Sequence, residues 1–557
     1  MELVIFEENK PLVLQGLREG EFDYMEAASE AFEADFFRFI QARSYLEELA
    51  ETYPLPRQKE EVPCWFYVAS NLSMRLHGVH AFDAFPMVIR CGGMVQAFGP
   101  KMGRKVVHPE TQETTVCCEG FNRKNHFDRE TPCDPDYIRK VAKDTDTPSL
   151  MVWFNRDVVK GFRKHHVFDN EGLFIGDGSY LFVPDNPKYE GSVKMRFDEQ
   201  NHPVTVEQYD AMTEVQKSRC PWKRCYKMVT LLHTNGKREF FVFVAVQVIS
   251  GKAHESPVLY ELVKQFVQTV GPGVMKRLVL DRGFLDGEAI ALCKRKYGID
   301  VLIPLRRNMD LYEDARALFR EPEVKWRELE EQKEEGKEPV RPKPQAILKR
   351  EKKRQKTLQR LNEQQPPPPP EEILVKTEVA SIGEFRSWSS CTVPLSVVAN
   401  REHYADGHTE IWFLVDTQAV QDPRQSRQQY QLRPSTEERY RQLKCFSDLT
   451  HFTSRAFSLV VNQVVFILLS YDLLQIYLLH QGRKDLNQKT LPRIRQQLLP
   501  SDNHILVYWQ NYFALFSPFE LIGFVVMLRE EARKKIAAKC HRIGRELNGL
   551  MQNPRPP

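Results

Sequence analysis

A fixed succession of strand and helix patterns constrains the fold of this chain more than any other feature. The predicted elements are a strand at Leu173–Val183, a hairpin at Tyr226–Ser250 with an Asn-Gly turn, a helix at Ser256–Val270, a buried strand at Lys276–Leu280, a helix at Asp286–Tyr297 and a strand at Ile299–Leu305. Antiparallel strands can be joined by a short turn, whereas parallel strands need a long crossover that is usually helical. The order therefore predicts an α/β core in which three antiparallel strands are followed by parallel ones.

Two aspartates stand at chemically useful positions in this series. Asp177 lies in the first strand between Gly176 and Gly178, and Asp281 follows the strand that ends at Leu280. Open α/β sheets bind ligands at the carboxyl ends of their strands, and glycines permit a close approach of backbone or ligand. Taken alone, each aspartate is better explained as a turn former or a helix cap than as a catalytic residue. The pair becomes a candidate site only together with a third group.

The segment YQLRPSTEERYRQLK supplies that third group. Tyr430 is followed after two residues by Arg433, after three more by Glu437 and after six more by Lys444. Pro434 suits a first helical turn, and the residues after it propagate a helix well. At 3.6 residues per turn, Glu437 and Lys444 lie on one face, together with the residues at 440 or 441. A carboxylate beside two cations and a phenol suits a site that holds a metal ion and phosphate oxygens, whereas the structural alternative is a solvated, charge-rich helix.

Two neighbouring glutamates compete for the carboxylate role. Ser435 and Glu438 match the S-x-x-E capping box, which gives Glu438 a structural function at the helix start. Glu437 lies on the same face as Lys444. We therefore expect Glu437 to be the functional carboxylate.

The spacing Y-(2)-R-(3)-E-(6)-K resembles the signature of bacterial insertion-sequence transposases of the DDE type. LVLDRGF at 278–284 resembles the second-aspartate motif of that family. The resemblance covers about residues 170 to 480 and implies an RNase H-like catalytic core, a mixed five-stranded sheet with flanking helices. Pro434 departs from the family, which often has an aromatic residue there, and a proline could kink the helix.

The resemblance implies a mechanism and a set of partners. Asp177, Asp281 and Glu437 would be the catalytic residues and would hold two Mg²⁺ or Mn²⁺ ions. Tyr430, Arg433 and Lys444 would bind DNA phosphates. The implied reaction is cut-and-paste transposition, in which terminal inverted repeats are cleaved and then joined to target DNA. A homodimer in the synaptic complex is expected by analogy.

Composition shifts predict six segments. They are a helical N-terminal domain at 1–165, the first part of the core at 166–320, a charged and Pro-rich linker at 321–372, a β-rich insertion at 373–425, the second part of the core at 426–480 and a helical, basic C-terminal tail at 481–557. The resemblance implies that the N-terminal domain binds DNA and recognises the transposon end. The insertion follows from the long stretch between Asp281 and Glu437, which exceeds any ordinary connection. The basic groups of the first segment and of the tail fit either a DNA surface or a solvated helical face.

Two tryptophans of the insertion region have two interpretations. Trp388 and Trp412 could stack on an extruded base, since related transposases contact DNA near the cleavage site with a β-rich insertion at this point. Packing is the alternative role for both side chains.

Composition limits the remaining classes. The 557 residues carry 79 Lys+Arg against 75 Asp+Glu, a net charge of +4, so nucleic-acid binding would have to come from local clustering. Scattered cysteines and a start without a signal-peptide pattern predict a reducing cytoplasm. The resemblance to insertion-sequence transposases implies a bacterial, nucleoid-associated protein. The apolar stretch 456–479 contains Asn462, Gln463, Asp472 and Gln475, which favours a buried core helix over a membrane span.

Two alternative functions stay open at this point. One is an RNase H-like DNA endonuclease that performs no strand transfer, and dependence on terminal repeats would distinguish it. The other is a non-catalytic DNA-binding protein derived from a transposase, which the loss of one of the three carboxylates would support.

Overall fold

The computed structural model describes residues 7–28, 31–56, 62–85, 104–107, 114–117, 135–329, 374–452, 454–498, 504–510 and 512–552. The chain divides into two compact units, Met1–Ile299 with Leu432–Pro557 and Asp300–Gln431. The predicted boundaries near 165 and 481 both fall inside the first unit. Most of the predicted linker lies outside the described residues.

The elements are numbered along the chain. The strands are β1 Glu7–Glu8, β2 Tyr24–Ala28, β3 Arg104–Val107, β4 Thr114–Cys117, β5 Leu173–Val183, β6 Val193–Phe197, β7 Pro203–Val204, β8 Trp222–Thr234, β9 Phe241–Ser250, β10 Arg277–Leu280, β11 Asp300–Pro304, β12 Arg327–Glu328, β13 Leu374–Phe385, β14 Leu395–Tyr404, β15 Thr409–Asp416, β16 His504–Trp509 and β17 Tyr512–Phe516. The helices are α1 Lys10–Glu19, α2 Ala31–Ala42, α3 Tyr45–Thr52, α4 Cys64–Leu76, α5 Pro135–Asp144, α6 Thr147–Val152 continued by the π-helical Trp153–Val158 and by Val159–Lys164, α7 Val206–Asp210, α8 Glu214–Ser218, α9 Glu255–Val270, α10 Gly287–Leu292 continued by the π-helical Cys293–Tyr297, α11 Asp310–Leu318, α12 Pro423–Tyr430, α13 Pro434–Phe446, α14 Phe457–His480, α15 Leu491–Leu498, α16 Pro518–Val526 and α17 Glu530–Gln552.

The sheet of the first unit is mixed, and β5 lies inside it. β5 pairs antiparallel with β8, which pairs antiparallel with β9, while β10 pairs parallel with β5. The register places Leu280 opposite Gly176. Because Asp281 follows Leu280 and Asp177 follows Gly176, the two aspartates are brought to neighbouring positions on adjacent strands. This part of the predicted element order is confirmed.

The segment between β5 and β8 forms an excursion that the sequence did not predict. β6 pairs antiparallel with the beginning of β8, and β7 pairs with β6. Thr205 and Thr213 then cap α7 and α8 through complete capping boxes with Gln208 and Gln216. The predicted hairpin is present, but its turn is longer than Asn-Gly, with Arg238 rather than Gly236 in the left-handed region.

Polar side chains of α14 satisfy the free backbone edge of β9. Asp472 Oδ1 accepts a hydrogen bond of 2.7 Å from the Phe243 N–H, and Gln475 Oε1 accepts one of 3.1 Å from the Phe241 N–H. Asn155 of α6 both donates to and accepts from the backbone of Val246. Unpaired strand edges invite association with other chains, so these side chains close an edge that another strand would otherwise fill.

The helix α14 packs inside the first unit against helices from the N-terminal part of the chain. Tyr53 lies 5.1 Å from Tyr67, 5.0 Å from Trp153 and 6.1 Å from Phe466 between ring centroids, and Asn462 Nδ2 donates to the Tyr67 hydroxyl at 3.1 Å. Of the helices that the structure describes, α14 is long and apolar enough to cross a membrane, yet 83% of its most apolar window is buried inside the protein. Its packing is that of the predicted core helix.

The two ends of the chain form one small sheet. Its strand order is β1-β17-β16-β2, and β2 pairs with β16 antiparallel. Val13, Leu17, Phe22, Val507 and Phe516 belong to the buried core beneath it. The prediction of an entirely helical C-terminal region is therefore wrong for β16 and β17, because these strands find their partner in the N-terminal segment. The predicted basic helix is present as α17.

The second unit contains an antiparallel sheet with the order β12-β13-β14-β15-β11. Tyr312 and Phe319, from α11 and just after it, pack on Phe413 with ring centroids 4.9 and 5.6 Å apart. The β-rich character predicted for 373–425 is present in β13, β14 and β15.

Candidate active site

The three predicted carboxylates line one open cleft of the first unit. The cleft has an empty volume of about 1270 Å³, and Asp177, Asp281 and Glu437 all contribute to its lining. Gln200 to Pro203, from the excursion before α7, form another part of its wall. The sequence thus identified the carboxylates that converge, although it did not predict this wall.

Asp177 and Asp281 owe their proximity to the pairing of β5 with β10. Asp177 is 5% exposed, and its Oδ1 accepts a hydrogen bond of 2.8 Å from the Gly178 N–H. Asp281 directly follows β10, and its side chain is 39% exposed. A buried carboxylate beside a more accessible one leaves room for a ligand on the accessible side.

Glu437 reaches the cleft from the first turn of α13. Pro434 occupies the first helical turn without interrupting the helix, so the kink considered from the sequence is absent. The predicted capping box is wrong: Arg433 has helical dihedrals at the N-cap, and no side chain caps the helix. Glu438 instead pairs with Arg441 at 2.6 Å. The conclusion that Glu437 is the carboxylate of the cleft is unaffected.

Arg433 lies among the three carboxylates. Its Nη1 is 2.6 Å from Glu437 Oε1, and its Nη2 is 3.2 Å from Asp281 Oδ2 and 3.7 Å from Asp177 Oδ1. The resemblance implied that Arg433 binds DNA phosphate, but in this structure its partners are the acidic side chains. One cation therefore bridges groups from β5, β10 and α13.

Burial and charge oppose each other at Asp177. Burial raises the pKa of the Asp177 carboxyl to about 7, while Arg433 and the Gly178 N–H act in the opposite direction. Asp281 and Glu437 add a smaller upward contribution to that pKa. Burial also lowers the pKa of Lys444 to about 8. The site is thus a partly desolvated cluster, in which burial and neighbouring charges together set the pKa values of Asp177 and Lys444.

Lys444 and Tyr440 tie α13 to the strand that carries Asp177. Lys444 Nζ donates to Ser179 Oγ at 2.8 Å. The Tyr440 hydroxyl donates to the Asp177 carbonyl oxygen at 3.1 Å and lies 2.6 Å from Thr230 Oγ1. The sequence placed a residue at 440 or 441 on this face of the helix, but the anchoring role of Tyr440 depends on Thr230, which only the fold brings near.

A fourth carboxylate lies on another part of the cleft wall. Glu255 begins α9, and its Oε2 is 3.4 Å from Lys227 Nζ. A Cβ at Gly178 would collide with Glu255 Oε2, so a larger residue beside Asp177 would require the Glu255 carboxylate to move. The sequence pattern predicted a helix that starts at Ser256, so it did not indicate Glu255 as a site residue. The helix begins at Glu255, and His254 is its N-cap.

Three predicted site residues belong to the second unit. Tyr430 ends α12, and its ring centroid lies 5.8 Å from that of Trp412. The Arg427 guanidinium lies 4.8 Å from the centroid of the Trp412 ring. Trp388 is half-buried, and its carbonyl accepts a bond from the Cys391 N–H. Trp412 and Tyr430 thus pack together in this unit.

The donor set fits a hard divalent cation by its chemistry. Magnesium and manganese prefer carboxylate oxygens, and Asp177, Asp281 and Glu437 offer them in one cleft. Among the residues that the structure describes, no three His, Cys, Asp or Glu side chains are grouped closely enough to hold a metal ion. The Arg433 guanidinium occupies the space between the carboxylates and is a stand-in for such a cation.

Comparison with known proteins gives a match to one family model. Residues 197–473 match the family model described as "Transposase DDE domain". This segment of the chain therefore belongs to the transposase DDE domain family. The matched segment includes Asp281, Arg433, Glu437 and Lys444, whereas Asp177 precedes its first residue. A search of curated proteins found no match.

Proposed function

We propose that the protein is a transposase that cleaves DNA at the ends of an insertion sequence and joins those ends to target DNA. The observation that carries the proposal is the convergence of Asp177, Asp281 and Glu437 on one guanidinium, in a cleft open to a large ligand. Its core would be the RNase H-like fold expected from the sequence. The substrate would be double-stranded DNA with terminal inverted repeats, and two copies of the chain would hold a pair of ends.

Asp177, Asp281 and Glu437 would hold two Mg²⁺ or Mn²⁺ ions. When bound, such ions activate an attacking water or 3′-hydroxyl and stabilise the leaving oxygen. Asp177 would supply a buried ligand, whose position is fixed by the Gly178 N–H and by β5. Glu437 would complete the set from α13, and the Tyr440 hydroxyl would keep that helix in register with β5.

Cationic side chains of the same cleft would position the cleaved strand. Lys444 offers a point charge and Arg433 a planar fork that can hold two phosphate oxygens. Tyr430 stays a predicted phosphate ligand, and within the second unit its ring centroid lies 5.8 Å from that of Trp412. Trp412 and Trp388 remain candidates for stacking on an extruded base.

The test uses the full chain, Mg²⁺, a labelled duplex carrying the inverted repeats that flank its own gene, and a circular target plasmid. We expect end cleavage in the wild type and a loss of at least about a hundredfold, or about 2.7 kcal/mol of transition-state stabilisation, in Asp177→Asn, Asp281→Asn and Glu437→Gln. Glu438→Gln is the matched control, because Glu438 pairs with Arg441 and is absent from the cleft lining. It should keep activity.

Each outcome separates one class of function from another. Cleavage followed by insertion into the plasmid supports the transposase. Cleavage without insertion, and without dependence on the repeats, supports the endonuclease. Binding of the repeats without any cleavage that depends on the three carboxylates would refute the active-site proposal and leave a DNA-binding protein.

A further inference from the structure

The three carboxylates of the cleft share one guanidinium as their counter-charge. Arg433 contacts Glu437 through Nη1 and both aspartates through Nη2, at 2.6, 3.2 and 3.7 Å. Its side chain is only 17% exposed. This half-buried cation contacts acids from three different parts of the chain, which distinguishes it from an isolated surface pair, although its partner Glu437 is itself 55% exposed.

The acids carry like charges that repel one another at short range, so a cation shared among them favours the arrangement in which all three face the same cleft. Without Arg433, the three side chains would have to move apart or acquire another cation.

A divalent cation bound to these carboxylates would compete with the Arg433 guanidinium, because both would place positive charge beside Asp281 Oδ2 and Glu437 Oε1. The guanidinium has an alternative partner in this class of substrate, since its fork also fits phosphate oxygens. DNA can therefore remove the group that competes with the metal.

We propose that Arg433 is a built-in counter-cation, which holds the three carboxylates together in the free enzyme and keeps divalent cations weakly bound until a DNA phosphate takes over the guanidinium. The inference rests on the proposed function and describes the regulation of that same site. Arg433 is then a positioning residue in the free protein and a phosphate ligand in the complex. Because binding free energies are reciprocal, DNA tightens metal binding and the metal tightens DNA binding.

The test measures Mn²⁺ binding, without any cleavage step, from the electron paramagnetic resonance signal of free Mn²⁺. Full-length wild type, Arg433→Gln and Arg433→Lys are titrated without DNA, with Glu438→Gln as the matched control. We expect Arg433→Gln to bind Mn²⁺ at least about tenfold more tightly than the wild type, with Arg433→Lys between them. Glu438→Gln should bind as the wild type does. The double variant Arg433→Gln/Asp281→Asn should lose the gain if the ion is in the cleft.

A second titration tests the coupling to DNA. Adding a duplex of any sequence should tighten Mn²⁺ binding to the wild type by about tenfold and should have a smaller effect on Arg433→Gln. Equal or weaker Mn²⁺ binding by Arg433→Gln would overturn the inference, as would a gain that survives Asp281→Asn. If Arg433→Gln does not fold, the order of wild type and Arg433→Lys decides instead.

The outcome is independent of the transposition assay. A protein that shows the expected Mn²⁺ affinities but cuts no DNA would keep the counter-cation inference and lose the proposed reaction. A protein that transposes, but whose Arg433 variants bind Mn²⁺ no more tightly, would do the reverse.

Discussion

Removing the Tyr440 hydroxyl should loosen the helix that carries Glu437 from the strand that carries Asp177. The hydroxyl donates to the Asp177 carbonyl at 3.1 Å and lies 2.6 Å from Thr230 Oγ1. Tyr440 is 4% exposed and Thr230 is fully buried, so water cannot replace the lost partner easily. Burial raises the pKa of the Tyr440 hydroxyl well above its ordinary value, so the group stays protonated at any practical pH.

The expected magnitude follows from counting what each variant leaves unpaired. Tyr440→Phe removes two hydrogen bonds at roughly 0.5–1.5 kcal/mol each, so the free energy of unfolding should fall by about 2 kcal/mol. Thr230→Val removes one of them and leaves the bond from Tyr440 to Asp177, so it should cost about 1 kcal/mol. In the double variant the two effects should not add, and the coupling energy should be about 1 kcal/mol.

Urea unfolding of the wild type, both single variants and the double variant gives the complete cycle. A helix that shifts against β5 should also lower the rate of DNA cleavage more than it weakens DNA binding, because Glu437 loses its position relative to Asp177. The reasoning is refuted if Thr230→Val costs as much as Tyr440→Phe, or if the effects of the two substitutions simply add.

Two further predictions concern buried titratable groups. Burial raises the pKa of Asp472 well above its ordinary value, so the folded state retains a proton that the unfolded state loses. The free energy of unfolding of the wild type should therefore fall by up to about 1.4 kcal/mol per pH unit above the unfolded pKa of about 3.9. Asp472→Asn should flatten that slope in urea unfolding from pH 5 to 8, and parallel curves for the two proteins would contradict the assignment. Burial lowers the pKa of His233 to about 4. The stability contributed by the neutral imidazole is therefore complete above the unfolded pKa of about 6.5, and about 3 kcal/mol of it is lost as the pH falls toward 4. His233→Gln, which cannot titrate, should lose less stability than the wild type between pH 7 and 4.5, and an equal loss would show that His233 is not the titrating group.

Local patterns predicted the elements that bear the candidate site. The strand around Asp177, the strand that ends before Asp281 and the helix from Pro434 were all located correctly. Alternating or continuous apolar runs and turn residues encode such elements within a dozen positions. Glu437 lines the cleft and Glu438 does not, although the capping box that favoured Glu437 in the sequence does not form.

The missed features all depend on partners distant in sequence. β16 pairs with β2 across nearly the whole chain, and no local pattern names that partner. Asp472 looked like a polar interruption in an apolar helix, because its bond to the backbone of Phe243 exists only after α14 packs beside β9. Glu255 likewise lines the cleft only because α9 packs against β5 and β8, which no local pattern indicates.

The sequence by itself determined which chemistry is available: two aspartates at strand positions and a tyrosine, arginine, glutamate and lysine at fixed spacing, since residue type and periodicity are local properties. Only the tertiary structure decided how these groups use one another. It placed Arg433 between the carboxylates instead of leaving it for phosphate. Coulomb energy falls with distance and rises with desolvation, and both quantities are set by packing rather than by the order of residues.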